Sequence, residues 1–276
     1  MTGPAPVRCR LRPLIVLALL LAAPMASACG VESDCRVGAR SYRLMLPEGR
    51  DESTPTGALF FLHGYRGTSE AVMANAGLRD LAEDLGIAFV ALQADGDEWN
   101  APGAPAQDRP MNADEVAYLD AVVEDVGRRI ALDRDRMLVA GFSSGAMMVW
   151  GLACARGDAF AGYVPVSGTF WAPIPEDCPA APLNLIHYHG TADEVVPLAG
   201  RAIGEARQGD VPAAIEMLAA AGGYGPPEPV AAEGLDCMRR VDPGGYLLEL
   251  CLFDGGHSLN PAFIGRAWDL LVGPPR

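Results

Sequence analysis

Ser143 stands in Gly141-Phe142-Ser143-Ser144-Gly145, between the apolar run Met137-Leu138-Val139-Ala140 and a small-residue run that begins at Ala146. A strand before, a helix after and glycine on both flanks describe a nucleophile elbow, a strained turn that lifts its serine hydroxyl clear of the fold. Glycine is needed at 141 and 145 because a Cβ there would meet the neighbouring strand or helix. A serine hydroxyl is a poor nucleophile near neutral pH; it needs a base to take its proton and a third group to orient that base. Both are available downstream. Asp193 lies in His189-Gly190-Thr191-Ala192-Asp193-Glu194-Val195-Val196-Pro197, after the apolar run 183–188, and His257 lies in Asp254-Gly255-Gly256-His257, after the run 246–253. Gly255 and Gly256 free the backbone to aim the ring. Glu194 rivals Asp193, but a side chain one residue on points elsewhere. The order Ser143, Asp193, His257 is one of three unrelated orders in which serine triads occur.

The remaining chemistry-bearing residues narrow the choice. His187 and His189 alternate on one strand and so share a face. They could be read as metal ligands, yet a zinc site wants three or four ligands and no further histidine or carboxylate stands at helpful spacing, so no metal is expected. The chain has no lysine; all 21 basic residues are arginine. That excludes Schiff-base chemistry, a pyridoxal phosphate anchor, a phosphate-loop lysine and Ser-Lys dyads. No cofactor is expected. The formal net charge is −14. Without residues 1–28, which hold three arginines and no acid, 18 arginines face 35 carboxylates, a balance of −17. Such a surface repels nucleic acid and anionic lipid, so neither is an expected partner.

The elements that must position these residues are legible as short, nearly all-apolar runs at about 41–46, 58–63, 87–92, 136–140, 161–166, 183–188 and 246–253. Helical patterns occupy 69–85, 113–130, 145–155, 211–221 and 261–271. Apolar strands alternating with helices require a mostly parallel sheet covered on both faces. In such a sheet the ligand crevice lies at the carboxyl ends of the strands. His63-Gly64, the loop 95–100, Ser143, Asp193 and His257 all fall at such ends. The stretch 236–252 reads as a hairpin turning at Asp242-Pro243-Gly244-Gly245, and Gly225-Pro226-Pro227-Glu228-Pro229 as a loop.

Gly-x-Ser-x-Gly continued as Ala146-Met147-Met148, with His-Gly-Thr-Ala-Asp-x-x-Val-Pro and Gly-Gly-His, resembles the secreted polyhydroxybutyrate depolymerase and feruloyl esterase group of α/β-hydrolases. Phe61-Leu62-His63-Gly64-Tyr65 looks like that group's oxyanion loop, and Asp95-Gly96 followed by Trp99-Asn100 like its substrate loop. The resemblance covers roughly residues 41–272. It implies an α/β-hydrolase without a large cap, a single domain over 29–276, and a serine esterase with Ser143 as nucleophile, His257 as base and Asp193 as orienting acid. The backbone N–H groups of Tyr65 and Ser144 would hold the oxyanion. Trp99, Asn100 and His63 would contact substrate, His63 also shaping the oxyanion loop. The implied substrates are short-chain esters such as 3-hydroxybutyrate oligomers, with feruloyl or acetyl esters of plant polysaccharide as the alternative. An inactive relative used for binding and a serine peptidase are rivals; the complete triad speaks against the first, and the missing cap or propeller against the second. The chain departs from the group behind His257, where Ser258-Leu259-Asn260-Pro261 replaces an aromatic and a proline.

The first 28 residues have the form of a secretory signal: Arg8, Arg10 and Arg12, an apolar run over 14–23, and Ala26-Ser27-Ala28 before the cleavage point. About 10 apolar residues are too few to span a bilayer core that takes about 20. Secretion or export to the periplasm is expected, with lipid attachment at Cys29 the lesser alternative because Ala26 stands where leucine is usual. Beyond the signal lie Cys29, Cys35, Cys154, Cys178, Cys237 and Cys251, an even set that allows 15 pairings if all are oxidised. Locality and the resemblance favour Cys29–Cys35, Cys154–Cys178 and Cys237–Cys251.

Overall fold

The structure, a computed structural model, describes residues 29–105 and 113–273, together with Met1 and Gly3. The expected leader therefore lies, apart from those two residues, outside the described residues. The chain opens with β1 (Cys35–Val37), β2 (Arg40–Met45) and β3 (Thr56–Leu62). Helices α1 (Ser69–Met73) and α2 (Ala76–Leu85) lead to β4 (Ala88–Leu92), and α3 (Ala113–Arg129) leads to β5 (Leu132–Phe142). Then come α4 (Ser144–Arg156), β6 (Gly162–Val166), β7 (Leu185–Gly190) and a small hairpin of β8 (Ala202–Ile203) and β9 (Ala206–Arg207). The chain continues through α5 (Val211–Gly222), β10 (Glu228–Ala232), β11 (Leu235–Val241), β12 (Leu247–Phe253) and α6 (Pro261–Leu271).

Ten strands form one sheet in the order β1-β2-β4-β3-β5-β6-β7-β12-β11-β10. The six from β4 to β12 run parallel, and antiparallel pairs flank them on both sides. Every residue of β3, β4, β6 and β7 is buried, as strands covered on both faces require. Alternation divides β3 between two cores: Phe60 and Leu62 join one with residues of α3, α4 and α5, while Leu59 and Phe61 join the other with residues of α1, α2 and α6. Because β4 lies on one side of β3 and β5 on the other, the strand order reverses there. A crevice opens at the carboxyl ends beside such a reversal.

Each of the seven predicted strands is present with shifted bounds. The helix predicted over 69–85 is two helices, because the Asn75 side chain accepts from Leu78 N–H and starts α2 afresh. Pro229, read as part of a loop, sits in β10 opposite Met238. A proline is tolerated there because β10 is an edge strand, with one side free of the ladder. The predicted hairpin is β11–β12, and Cys237 faces Cys251 across it. All three expected disulfides are formed, Cys29–Cys35, Cys154–Cys178 and Cys237–Cys251. Bonds of this kind persist in oxidising compartments, which fits an extracellular protein. Among the described residues no helix is long and apolar enough to cross a membrane.

Candidate active site

The elbow is built as its sequence requires. Ser143 has φ 56° and ψ −120°, a strained conformation for a residue with a side chain. It is held because Ser143 N–H donates to Val166 O at 3.0 Å while its own carbonyl starts α4 by accepting from Met147 N–H at 3.0 Å. A Cβ on Gly141 would lie 2.6 Å from the Gly145 carbonyl, and one on Gly145 would run into the Leu62 carbonyl oxygen. Helix and strand thus touch backbone to backbone, and the turn cannot relax. Ser144 is the first residue of α4, so its N–H has no partner within the helix and lies at the positive end of the helix dipole.

Asp193 and His257 come together from two neighbouring strand ends. β7 and β12 are parallel neighbours, and the loops that leave them are tied by Thr191 N–H to Phe253 O at 3.0 Å and Ala192 N–H to Gly255 O at 2.9 Å. Asp193 is buried. Its Oδ1 accepts from Val195 N–H at 2.9 Å and Val196 N–H at 2.8 Å, and its Oδ2 accepts from His257 Nδ1–H at 2.7 Å. That bond fixes the imidazole tautomer and leaves Nε2 as the basic nitrogen. The rival Glu194 is exposed to solvent. The ring of Phe142, next to Ser143 in the chain, packs on the His257 ring with centroids 4.7 Å apart, so the imidazole is delivered to the elbow.

Behind the acid lies a buried pair. His189 Nε2–H donates to Val196 O at 2.7 Å, and His189 Nδ1 accepts from His187 Nε2–H at 2.9 Å. With a donor and an acceptor nitrogen the His189 ring is neutral, and burial holds both rings below the ordinary imidazole range, His187 far below it. The nitrogens that a metal would use on the facing sides are engaged with each other. The pair instead braces the turn whose N–H groups hold Asp193.

The three residues expected to contact substrate are placed behind the crevice. His63 is buried, with Nδ1–H donating to Gly64 O at 2.8 Å and Nε2 accepting from Ala94 N–H at 3.1 Å. Burial lowers its pKa, so it too is neutral. Trp99 is 1 % exposed and its Nε1–H donates to His63 O at 2.8 Å. Asn100 is buried as well, its N–H donating to Glu115 Oε1 at 3.1 Å. Trp99, Asn100 and His63 are thus corrected from substrate contacts to buried positions: Trp99 and His63 bond the start of the loop 63–67, the shaping role expected of His63, while Asn100 is tied to Glu115 of α3. Tyr65, on that loop, is the exposed member and lines the crevice.

The crevice is a cavity of about 320 Å³ floored by Ser143 and Ser144. Its further walls were not legible beforehand: Met147, Trp171, Val196, Arg201, Ile203 and Gln208. Several of these ride on the β8–β9 hairpin, whose two-residue strands carry no periodic signal, and on the bridge between Trp171 and Gln208.

A mostly parallel sheet, a strained serine after its fifth strand, and an acid and histidine on the later loops define an α/β-hydrolase. A family model described as Phospholipase/Carboxylesterase matches residues 107–207. The putative esterase NocK of Nocardia uniformis subsp. tsuyamanensis is 32% identical over 168 residues, 58% of this chain and 47% of NocK, so the chain spans about half of that relative. Feruloyl esterase C of Emericella nidulans is 28% identical over 241 residues, 84% of this chain and 81% of that protein. Among solved structures, the acetyl xylan esterase of Aspergillus awamori superposes with a TM-score of 0.57 at 14% identity, covering 83% of this chain and 94% of the other. The fold is that of the α/β-hydrolases, and over most of its length the chain is similar in sequence to feruloyl esterase C.

Proposed function

We propose that this chain is an exported serine esterase acting on short carboxylic esters. Ser143 attacks the ester carbonyl while His257 Nε2 takes its proton, and Asp193 stabilises the imidazolium that forms. The imidazolium then protonates the departing alkoxide, and water, activated by the same base, releases the acid from the acyl-enzyme. The backbone N–H groups of Ser144 and Tyr65 meet the developing oxyanion; one such donor typically contributes about 2.7–4 kcal/mol to transition-state stabilisation. The observation that carries this reading is the 2.7 Å bond from His257 to a buried, doubly held Asp193, beside the strained Ser143.

The feruloyl esterase relatives support feruloyl esters, the aromatic branch of the expected alternative. The motifs around Ser143, Asp193 and His257, through their resemblance to the polyhydroxybutyrate depolymerase group, support 3-hydroxybutyrate oligomers as a second reading. Rates on hydroxybutyrate oligomers, methyl ferulate and acetylated xylan decide between them. The chemistry itself is tested by Ser143→Ala in the purified protein lacking residues 1–28. Hydrolysis of a short acyl nitrophenyl ester and labelling by a fluorophosphonate should both be lost; retention of more than a few per cent of the rate overturns the assignment.

A further inference from the structure

Arg201 lines the same cavity as Ser143, in a chain whose charge is otherwise strongly negative. Its Nε–H donates to Val195 O at 2.8 Å, an oxygen that also accepts from Gln208 Nε2 at 3.2 Å. Gln208 N–H in turn donates to Arg201 O at 2.9 Å, closing the base of the β8–β9 hairpin. The side chain is therefore anchored through one of its five donors. Among the described residues its two terminal nitrogens make no hydrogen bond or ion pair. The other charged residue on the lining, Glu98, is already engaged within the protein. Apolar side chains of the same lining include Trp171, Val196 and Ile203.

Arg201 lies exposed at the mouth of the crevice, open to an incoming ester, and two parallel N–H groups of a guanidinium match the two oxygens of a carboxylate. A neutral acyl chain or an un-ionised phenol draws nothing comparable from it. We propose that Arg201 selects esters that carry a free carboxylate, such as a hydroxy-acid oligomer with its terminal acid or the monoester of a dicarboxylic acid. This assignment rests on the esterase reading of Ser143 and narrows it to anionic substrates.

The test uses two matched pairs of esters, one for each side of the scissile bond: the 3-hydroxybutyrate dimer against its methyl ester, and the 4-nitrophenyl monoester of adipic acid against the corresponding methyl adipate. In at least one pair kcat/KM for the acid should exceed that for the methyl ester. Arg201→Gln should lower that acid-to-methyl-ester ratio by about 10- to 100-fold, as expected for a lost charge-assisted hydrogen bond, and Arg201→Lys, which keeps the charge without the fork, should fall between. A wild-type ratio of one or below in both pairs overturns the proposal, as does a ratio that Arg201→Gln leaves in place. Hydrolysis of the methyl esters that Ser143→Ala abolishes upholds the esterase reading whatever the ratio shows. Failure to hydrolyse any of the four esters overturns both.

Discussion

Asp193 shows how one side chain serves two sets of partners. Oδ1 is committed to the two backbone N–H groups of Val195 and Val196, and Oδ2 to His257. In Asp193→Asn the amide oxygen must stay with those two donors, so the NH2 group turns toward the imidazole. His257 Nδ1 then becomes an acceptor and Nε2 carries the proton, the wrong tautomer for a base. We expect kcat on a neutral short-chain ester to fall by about a thousandfold or more with KM changed far less; a fall under tenfold would show that this bond does not orient the base. At this scale Ser143, Asp193 and His257 stand out in the sequence because glycines and strand ends frame each of them. Trp99 and Asn100 do not reach the crevice, and His63 keeps only its expected loop-shaping role, because the position of a residue at a strand end does not tell whether its side chain faces the crevice or the core behind it.

The hairpin β11–β12 is the element that carries His257 forward, and Cys237 and Cys251 join its arms from directly opposite positions. Beside this bond, the buried Glu249 on β12 pairs with Arg239 of β11 and with Arg266 of α6, each near 2.7 Å. Strand, hairpin partner and helix are thus fixed at one point under the loop. Replacing both cysteines by alanine should cost about 3 kcal/mol in denaturant-induced unfolding, on the chain-entropy model for a loop of about 15 residues. It should also raise proteolytic susceptibility around residues 242–246. A loss below about 1 kcal/mol would mean that the ladder and the Glu249 ion pairs already restrain the arms. The hairpin itself was legible from its turn residues. The break at Asn75 was hidden because the apolar pattern continues across it, and β10 was hidden because proline signals a loop until an edge position excuses its missing donor.

Three histidines, His63, His187 and His189, are neutral and buried, with pKa values lowered from 6.5 by burial. The unfolded chain takes up protons at these groups as pH falls below about 6.5, while the folded chain does not until lower pH. The unfolded state therefore binds more protons in that window, and stability is fully present above pH 6.5 and declines below it. Each group contributes a slope of up to about 1.4 kcal/mol per pH unit. His187→Phe should flatten the decline between pH 6.5 and 5 relative to the unmodified protein, measured as unfolding free energy at each pH, because the difference cancels the titration of the carboxylates common to both. Parallel curves would show that His187 is not held neutral by burial.

The sequence by itself determined the alternation of strands and helices, the elbow, the chain order of Ser143, Asp193 and His257, and the set of cysteines that could pair. These are local matters, written in glycine placement, hydrophobic runs and turn residues. Only the tertiary structure decided which side chains face the crevice. Met147, Trp171 and the segment holding Val195, Arg201 and Gln208 are distant in the chain and meet only because β5, β6, β7 and the β8–β9 hairpin end at one rim. Specificity is therefore the property least visible in the chain, since it depends on the directions of side chains that sequence spacing leaves open.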